Sequence, residues 1–289
     1  MLSSAIWGTM PVLAKVGYSS GLGIDQMLAW RFLLAGGLAS LALIFVRQPW
    51  FGVGPVRLLT LWAMGVVGYG VQTLLFYTAL ETLPASLTEL ILFTYPAFVV
   101  LGARWFYGRR IGRRKLMLLL LSVAGASLLL GGVSLKGGGF ALLLAAVQPI
   151  GLTAYLLLAE RLMRDTPMVT AGSMMILGAA SFWTTVALIR GDMVPAPNPI
   201  AWAVIAGMVI GPSLIAIPLN LFCIGKLGSD RVALLGVSEP AVTVVLAAAV
   251  LHEALGPFQL LGGTLVLCTV VAINWPQGIR SAPPPAPFP

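Results

Sequence analysis

Glu239 and Pro240 stand side by side in "GVSEPAVTVVLAAAVLHE", Gly236 to Glu253, an otherwise almost wholly apolar run. A carboxylate there can hold an amine or a proton, and a proline cannot donate to the fourth residue before it. The pair predicts a charge and a bend at one depth, with the carbonyl of Gly236 left bare. The competing reading is a hydrogen-bonded glutamate that staples two helices. Arg31, in "QMLAWRFLLAGG", offers a planar fork that suits a carboxylate. It either pairs with a carboxyl group, its own chain's or that of a bound molecule, or snorkels to an interface on its long stem. Trp7, Gln72, Tyr77, Tyr95, Gln148, Tyr155, Asn220 and Ser238 add uncharged polar groups and aromatic walls within apolar runs. Together they could enclose a molecule bearing both an amine and a carboxylate; taken singly, each ring reads as packing. Glu89 closes "SLTE", Ser86 to Glu89, which fits a capping box at a helix start and is expected to be structural.

The constellations of catalysis do not occur. His252 is the only histidine, which excludes the usual acid–base pairs and metal clusters. No GxxxxGK[ST] loop is present, so ATP is not expected to drive this protein directly. Neither an enzyme nor a metal or cofactor site is expected.

The elements that position these residues follow from composition. Of the 289 residues 59% are hydrophobic and 9% charged, with mean hydropathy +0.98. A soluble domain carries roughly a quarter charged residues, so an integral membrane protein is expected. Apolar stretches recur at about the 20 residues a helix needs to cross the bilayer. Unbroken runs such as "KLMLLLLSVAGASLLLGG" exclude alternating transmembrane strands. The spans expected in the first half are 2–18, 25–46, 57–80, 86–107 and 115–132. In the second half they are 139–163, 168–190, 200–226, 230–252 and 256–275. Six prolines inside them, Pro11, Pro96, Pro149, Pro212, Pro218 and Pro240, predict interrupted helices. The tail, residues 277–289, is proline-rich and expected to be disordered.

The halves resemble each other at an offset of about 144. "LILFTYPAFVVLGA" lies over "LLGVSEPAVTVVLA", so that Pro96 meets Pro240. Five spans per half would put equivalent loops on opposite sides, and their charges invert accordingly. "RRIGRRK" faces "HEALGPF", "ETLPAS" faces "KLGSDR", "SSGLGID" faces "ERLMRDTP", and Arg47 with Arg57 face the single Arg190. The fold expected is an all-α integral membrane protein of ten transmembrane helices in two inverted five-helix repeats, 1–135 and 136–276, with both termini cytoplasmic. The net charge of +8 then belongs to cytoplasmic loops, and no nucleic-acid partner is expected. Inverted repeats are the architecture of many secondary transporters, with the site between the halves.

"SSAIWGTMPVLAKVG" and "SEPAVTVVLAAAVLHEALGPFQLLGGTLVL" resemble the drug/metabolite transporter superfamily, in particular its ten-helix EamA-type branch. Within that branch the chain is most similar to the YddG-type exporters of aromatic amino acids. The first half departs from the pattern: Tyr95-Pro96 stands for Glu239-Pro240, and Arg109 for Glu253. The resemblance implies export of a small metabolite, an amino acid foremost, by alternating access across a bacterial-type inner membrane. A broader drug or nucleobase exporter and a passive channel are the alternatives. A monomer is one assembly the sequence permits.

Overall fold

The computed structural model describes residues 2–45, 52–107, 112–131, 139–163, 166–227, 232, 236 and 238–274. Among these residues every regular element is a helix and none is a strand. The chain opens with α1 (Leu2–Trp7) and α2 (Met10–Ser19), separated by a turn at Gly8-Thr9, and continues into α3 (Ile24–Phe45). A long helix, Pro55–Thr82, follows in three parts: α4 (Pro55–Met64), a π-helical segment (Gly65–Val71) and α5 (Gln72–Thr82). Then come α6 (Ala85–Leu92), α7 (Tyr95–Tyr107), α8 (Arg113–Gly131), α9 (Gly139–Leu162) and α10 (Met168–Arg190). A second tripartite helix, Pro199–Leu227, comprises α11 (Pro199–Met208), a π segment (Val209–Ala216) and α12 (Ile217–Leu227). The last two are α13 (Ser238–Leu251) and α14 (Pro257–Asn274).

Among the described residues five helices are long and apolar enough to cross a membrane: α3, Pro55–Thr82, α9, α10 and Pro199–Leu227. Ala85–Val99, which takes in α6 and the start of α7, and Leu116–Gly125, Ser238–Leu251 and Pro257–Thr269 are shorter apolar helical stretches. The outward faces are apolar too: Leu116, Met117 and Leu120 of α8 and Phe258, Leu260 and Leu261 of α14 are exposed. Water would oppose such faces, whereas hydrocarbon solvates them.

Local chemistry sets where these helices begin and end. Pro55 and Pro199 each occupy a first helical turn, where the missing N–H has no intrahelical acceptor to lose. Asn198 caps its helix by accepting from the Ala201 amide at 2.9 Å. Gly191 ends α10 in the left-handed region, φ 77°, which glycine adopts without strain. The first tripartite helix crosses α10 through small residues: a Cβ on Gly65 would overlap the Met175 carbonyl, and one on Gly178 the Trp62 carbonyl.

The prolines mark some of the helix interruptions and not others. The spans 57–80 and 200–226 are not plain α-helices, because each contains a π segment. The span 86–107 is two helices, with a turn at Phe93-Thr94 that leaves Pro96 in the first turn of α7. Pro149, by contrast, sits inside a continuous α9. Helix starts recur at one spacing: Ile24 and Met168, Pro55 and Pro199, Arg113 and Pro257, and the π segments at Gly65 and Val209, all lie 144 residues apart. The junction near 135, Arg109 and the tail 277–289 lie outside the described residues.

Candidate functional site

Several of the helix breaks border one cavity of about 120 Å³. The turn after α1 sets Trp7 at its edge, and the first π segment turns Gly68 and Tyr69 into it. Arg31 enters from α3, Gln72 and Tyr77 from α5, and Glu89 from α6. Tyr95 enters from α7, Gln148 and Tyr155 from α9, Asn220 from α12 and Glu239 from the start of α13. π turns widen a helix by one residue and re-aim the side chains after it, which is why they gather at functional sites.

Nine of the ten residues singled out from sequence line this cavity. Ser238 does not: successive residues of a helix point about 100° apart, and its neighbour Glu239 takes the inward direction. Tyr69, two turns before Tyr77, meets the same test of an aromatic hydroxyl within a span and belongs with them. Met10, Thr73, Phe76, Leu92, Leu152 and Leu156 complete much of the lining; nothing in their types or spacing distinguished them from packing residues.

Arg31 is wholly buried, so it does not snorkel. Its Nε donates to Ser213 Oγ at 2.9 Å, from the second π segment, and its Nη1 donates to Tyr77 Oη at 3.1 Å. The guanidinium makes no ion pair with the described residues, and its Nη2 is buried without a hydrogen-bond partner. Buried charges are ordinarily paired, because an unpaired one loses its hydration without compensation. Three further unpartnered buried polar atoms belong to lining residues: Trp7 Nε1, Glu89 Oε1 and Gln148 Oε1. Gln72 Nε2 spends its donor on the Gln148 carbonyl at 2.8 Å. Trp7 and Tyr69 stack with centroids 6.0 Å apart; Tyr155 meets Tyr69 edge-on at 5.3 Å and donates to its hydroxyl at 3.3 Å.

Two readings of the carboxylates change. Glu89 is no helix cap: α6 starts at Ala85 with Pro84 before it and no side-chain cap. Glu89 lies a turn inside, 2% exposed, on the cavity wall. The cap comes from a distant residue. Glu253 accepts from the amides of Ala85 and Ser86, at 2.8 and 3.1 Å, and from Ser86 Oγ at 2.8 Å. Sequence could not separate the two because "SLTE" has the capping-box spacing, while Glu253 is remote from Ser86 in the chain. The carbonyl of Gly236 is not bare either, since it accepts from the Glu239 amide at 2.8 Å. Pro240 falls in the first turn of α13, where no intrahelical bond is lost. The Glu89 and Glu239 carboxyl groups are within hydrogen-bonding reach of each other.

The model of the EamA-like transporter family matches the chain twice, over residues 1–131 and 139–275. The uncharacterized transporter YcbK of Bacillus subtilis (strain 168) is 26% identical over 276 residues, covering 91% of this chain and 87% of that protein. A solved crystal structure superposes with a TM-score of 0.66 at 21% identity, over 94% of this chain and 93% of that one. That likeness is one of fold.

Proposed function

The chain belongs to the EamA-like transporter family, a membrane-embedded, multi-pass transporter, and from that premise we propose that it exports a small metabolite, an amino acid foremost, by alternating access around the central cavity. The observation that carries this reading is the cavity itself. It combines aromatic walls, a buried guanidinium with a free donor, and two carboxyl groups in contact. An aromatic substrate, as in YddG-type exporters, fits the Trp7–Tyr69–Tyr155 cluster.

The architecture we infer is ten spans in two inverted repeats. The recurrence of helix starts at 144 residues, the two π segments and the double family match support it. The first span would be α1 with α2, and the fourth α6 with α7. Loop charges favour cytoplasmic termini in a bacterial inner membrane. The site would then fall between the halves, with Arg31 and Glu89 from the first and Glu239 from the second.

Purified protein in liposomes tests the reading with labelled aromatic and aliphatic amino acids, with and without a proton gradient. Saturable flux is expected, reduced about tenfold or more in Glu239→Gln if that carboxyl holds the amine or the coupling proton. Non-saturable flux would make the protein a channel; saturable flux of nucleobases or drugs alone would make it a broader exporter. Undiminished flux in Glu239→Gln from pH 5 to 8 would remove Glu239 from the mechanism.

A further inference from the structure

The charges of the cavity are kept apart. Arg31 is buried and anchored by two neutral hydroxyls, Ser213 and Tyr77, although two carboxyl groups line the same space. Two tyrosines feel both poles: Tyr69 lies within electrostatic reach of Arg31 and Glu239, Tyr77 of Arg31 and Glu89. A chain that only needed neutrality would let the guanidinium and a carboxylate meet, because an intimate pair regains part of the lost hydration. Here each pole retains an unspent group instead, Nη2 on Arg31 and Oε1 on Glu89.

We propose that Glu89 is a specificity-determining residue of the cavity. It presents Oε1 as acceptor for the cationic end of the transported molecule, while Arg31 Nη2 takes the anionic end. Both carboxyl groups line the cavity; Glu89 is the more buried, 2% exposed with one oxygen unpartnered, and Glu239 is half-buried at a helix start. Glu239 supports it through the carboxyl–carboxyl contact. The inference rests on the cavity being the substrate site. It narrows the ligand to one carrying both charges, and it assigns the two ends to different helices, α6 and α3.

The test is binding to the purified full-length protein by calorimetry, using matched sets built on leucine, phenylalanine and tryptophan. Each set contains the amino acid, its amide, which lacks the carboxylate, and its deaminated acid, which lacks the ammonium. At least one amino acid should bind tenfold or more tighter than both of its analogues. Glu89→Gln should weaken the amino acid and the amide about tenfold and leave the acid within about twofold. Arg31→Gln should do the converse. Glu89→Asp, which keeps the charge, should recover most of the selectivity, so a folding defect in one variant does not decide the outcome. The proposal is overturned if a singly charged analogue binds as tightly as its amino acid, if Glu89→Gln weakens all three alike, or if no set binds. Failure of the transport reading looks different: the binding pattern would hold while liposomes showed no flux. Saturable flux of a nucleobase with no amino-acid binding would keep transport and discard the two-pole site.

Discussion

At the residue scale the decisive feature is how few atoms hold Arg31. Its guanidinium depends on Ser213 and Tyr77, and Tyr77 is itself 1% exposed, so the contact cannot be replaced by bulk water. Tyr77→Phe keeps the ring and strands a second guanidinium N–H. Thermal unfolding in detergent should register a loss of about 1–3 kcal/mol, the cost of an unsatisfied buried donor. Gly8 is equally constrained from the other side. Its carbonyl accepts from Thr243 Oγ1 at 2.8 Å, and a Cβ on it would overlap the Glu239 carbonyl. Gly8→Ala should therefore cost about 1–3 kcal/mol by overpacking. It should also impair flux, because the atom it displaces belongs to the residue that carries the carboxyl group.

At the element scale, two joints between distant helices invite comparison. Glu253 closes the free N-terminus of α6 with three hydrogen bonds. Arg190 and Asp25 tie α10 to α3 at 2.7 Å, but the arginine side chain is 60% exposed. Glu253→Ala should lower stability by about 0.5–2 kcal/mol, as loss of a cap does. Arg190→Ala should change it by less than about 1 kcal/mol, since water competes for an exposed ion pair. Chemical or thermal unfolding of the two variants side by side checks the ranking; a larger loss in Arg190→Ala would contradict it. Glu253 shows how a motif residue can be legible while its partner is not. "HEALGPF" marks it as a charge at a helix end, but only the meeting of α6 with the α13–α14 connection reveals which amides it satisfies.

At the scale of the whole molecule, the proposed inverted repeat makes a topological prediction. Gly52 and Pro195 lie in equivalent connections of the two halves and are both exposed. With Cys223 and Cys268 replaced by serine, a membrane-impermeant maleimide should label Pro195→Cys from outside intact cells and leave Gly52→Cys untouched. Labelling of both from the same side would reject the inverted repeat, whatever the transport assays show.

The sequence by itself determined the membrane class, the helical character and the places where most of the long helices begin. Those properties depend on local quantities: run length against bilayer thickness, proline at a first turn, a glycine after a last one. It also singled out most of the polar side chains of the cavity, because a polar side chain inside an apolar run has few inexpensive places to go. What only the tertiary structure decided was pairing across distance. Glu89 and Glu253 exchange the roles their local sequences suggest, Gly236 finds a donor, Arg31 meets hydroxyls where a carboxylate was one expectation, and Ser238 turns away from the cavity. The π segments were hidden for the same reason. A π turn spends an extra residue to rotate one stretch of helix against another, and what stabilises it is the partner helix it then fits, which one-dimensional periodicity does not contain.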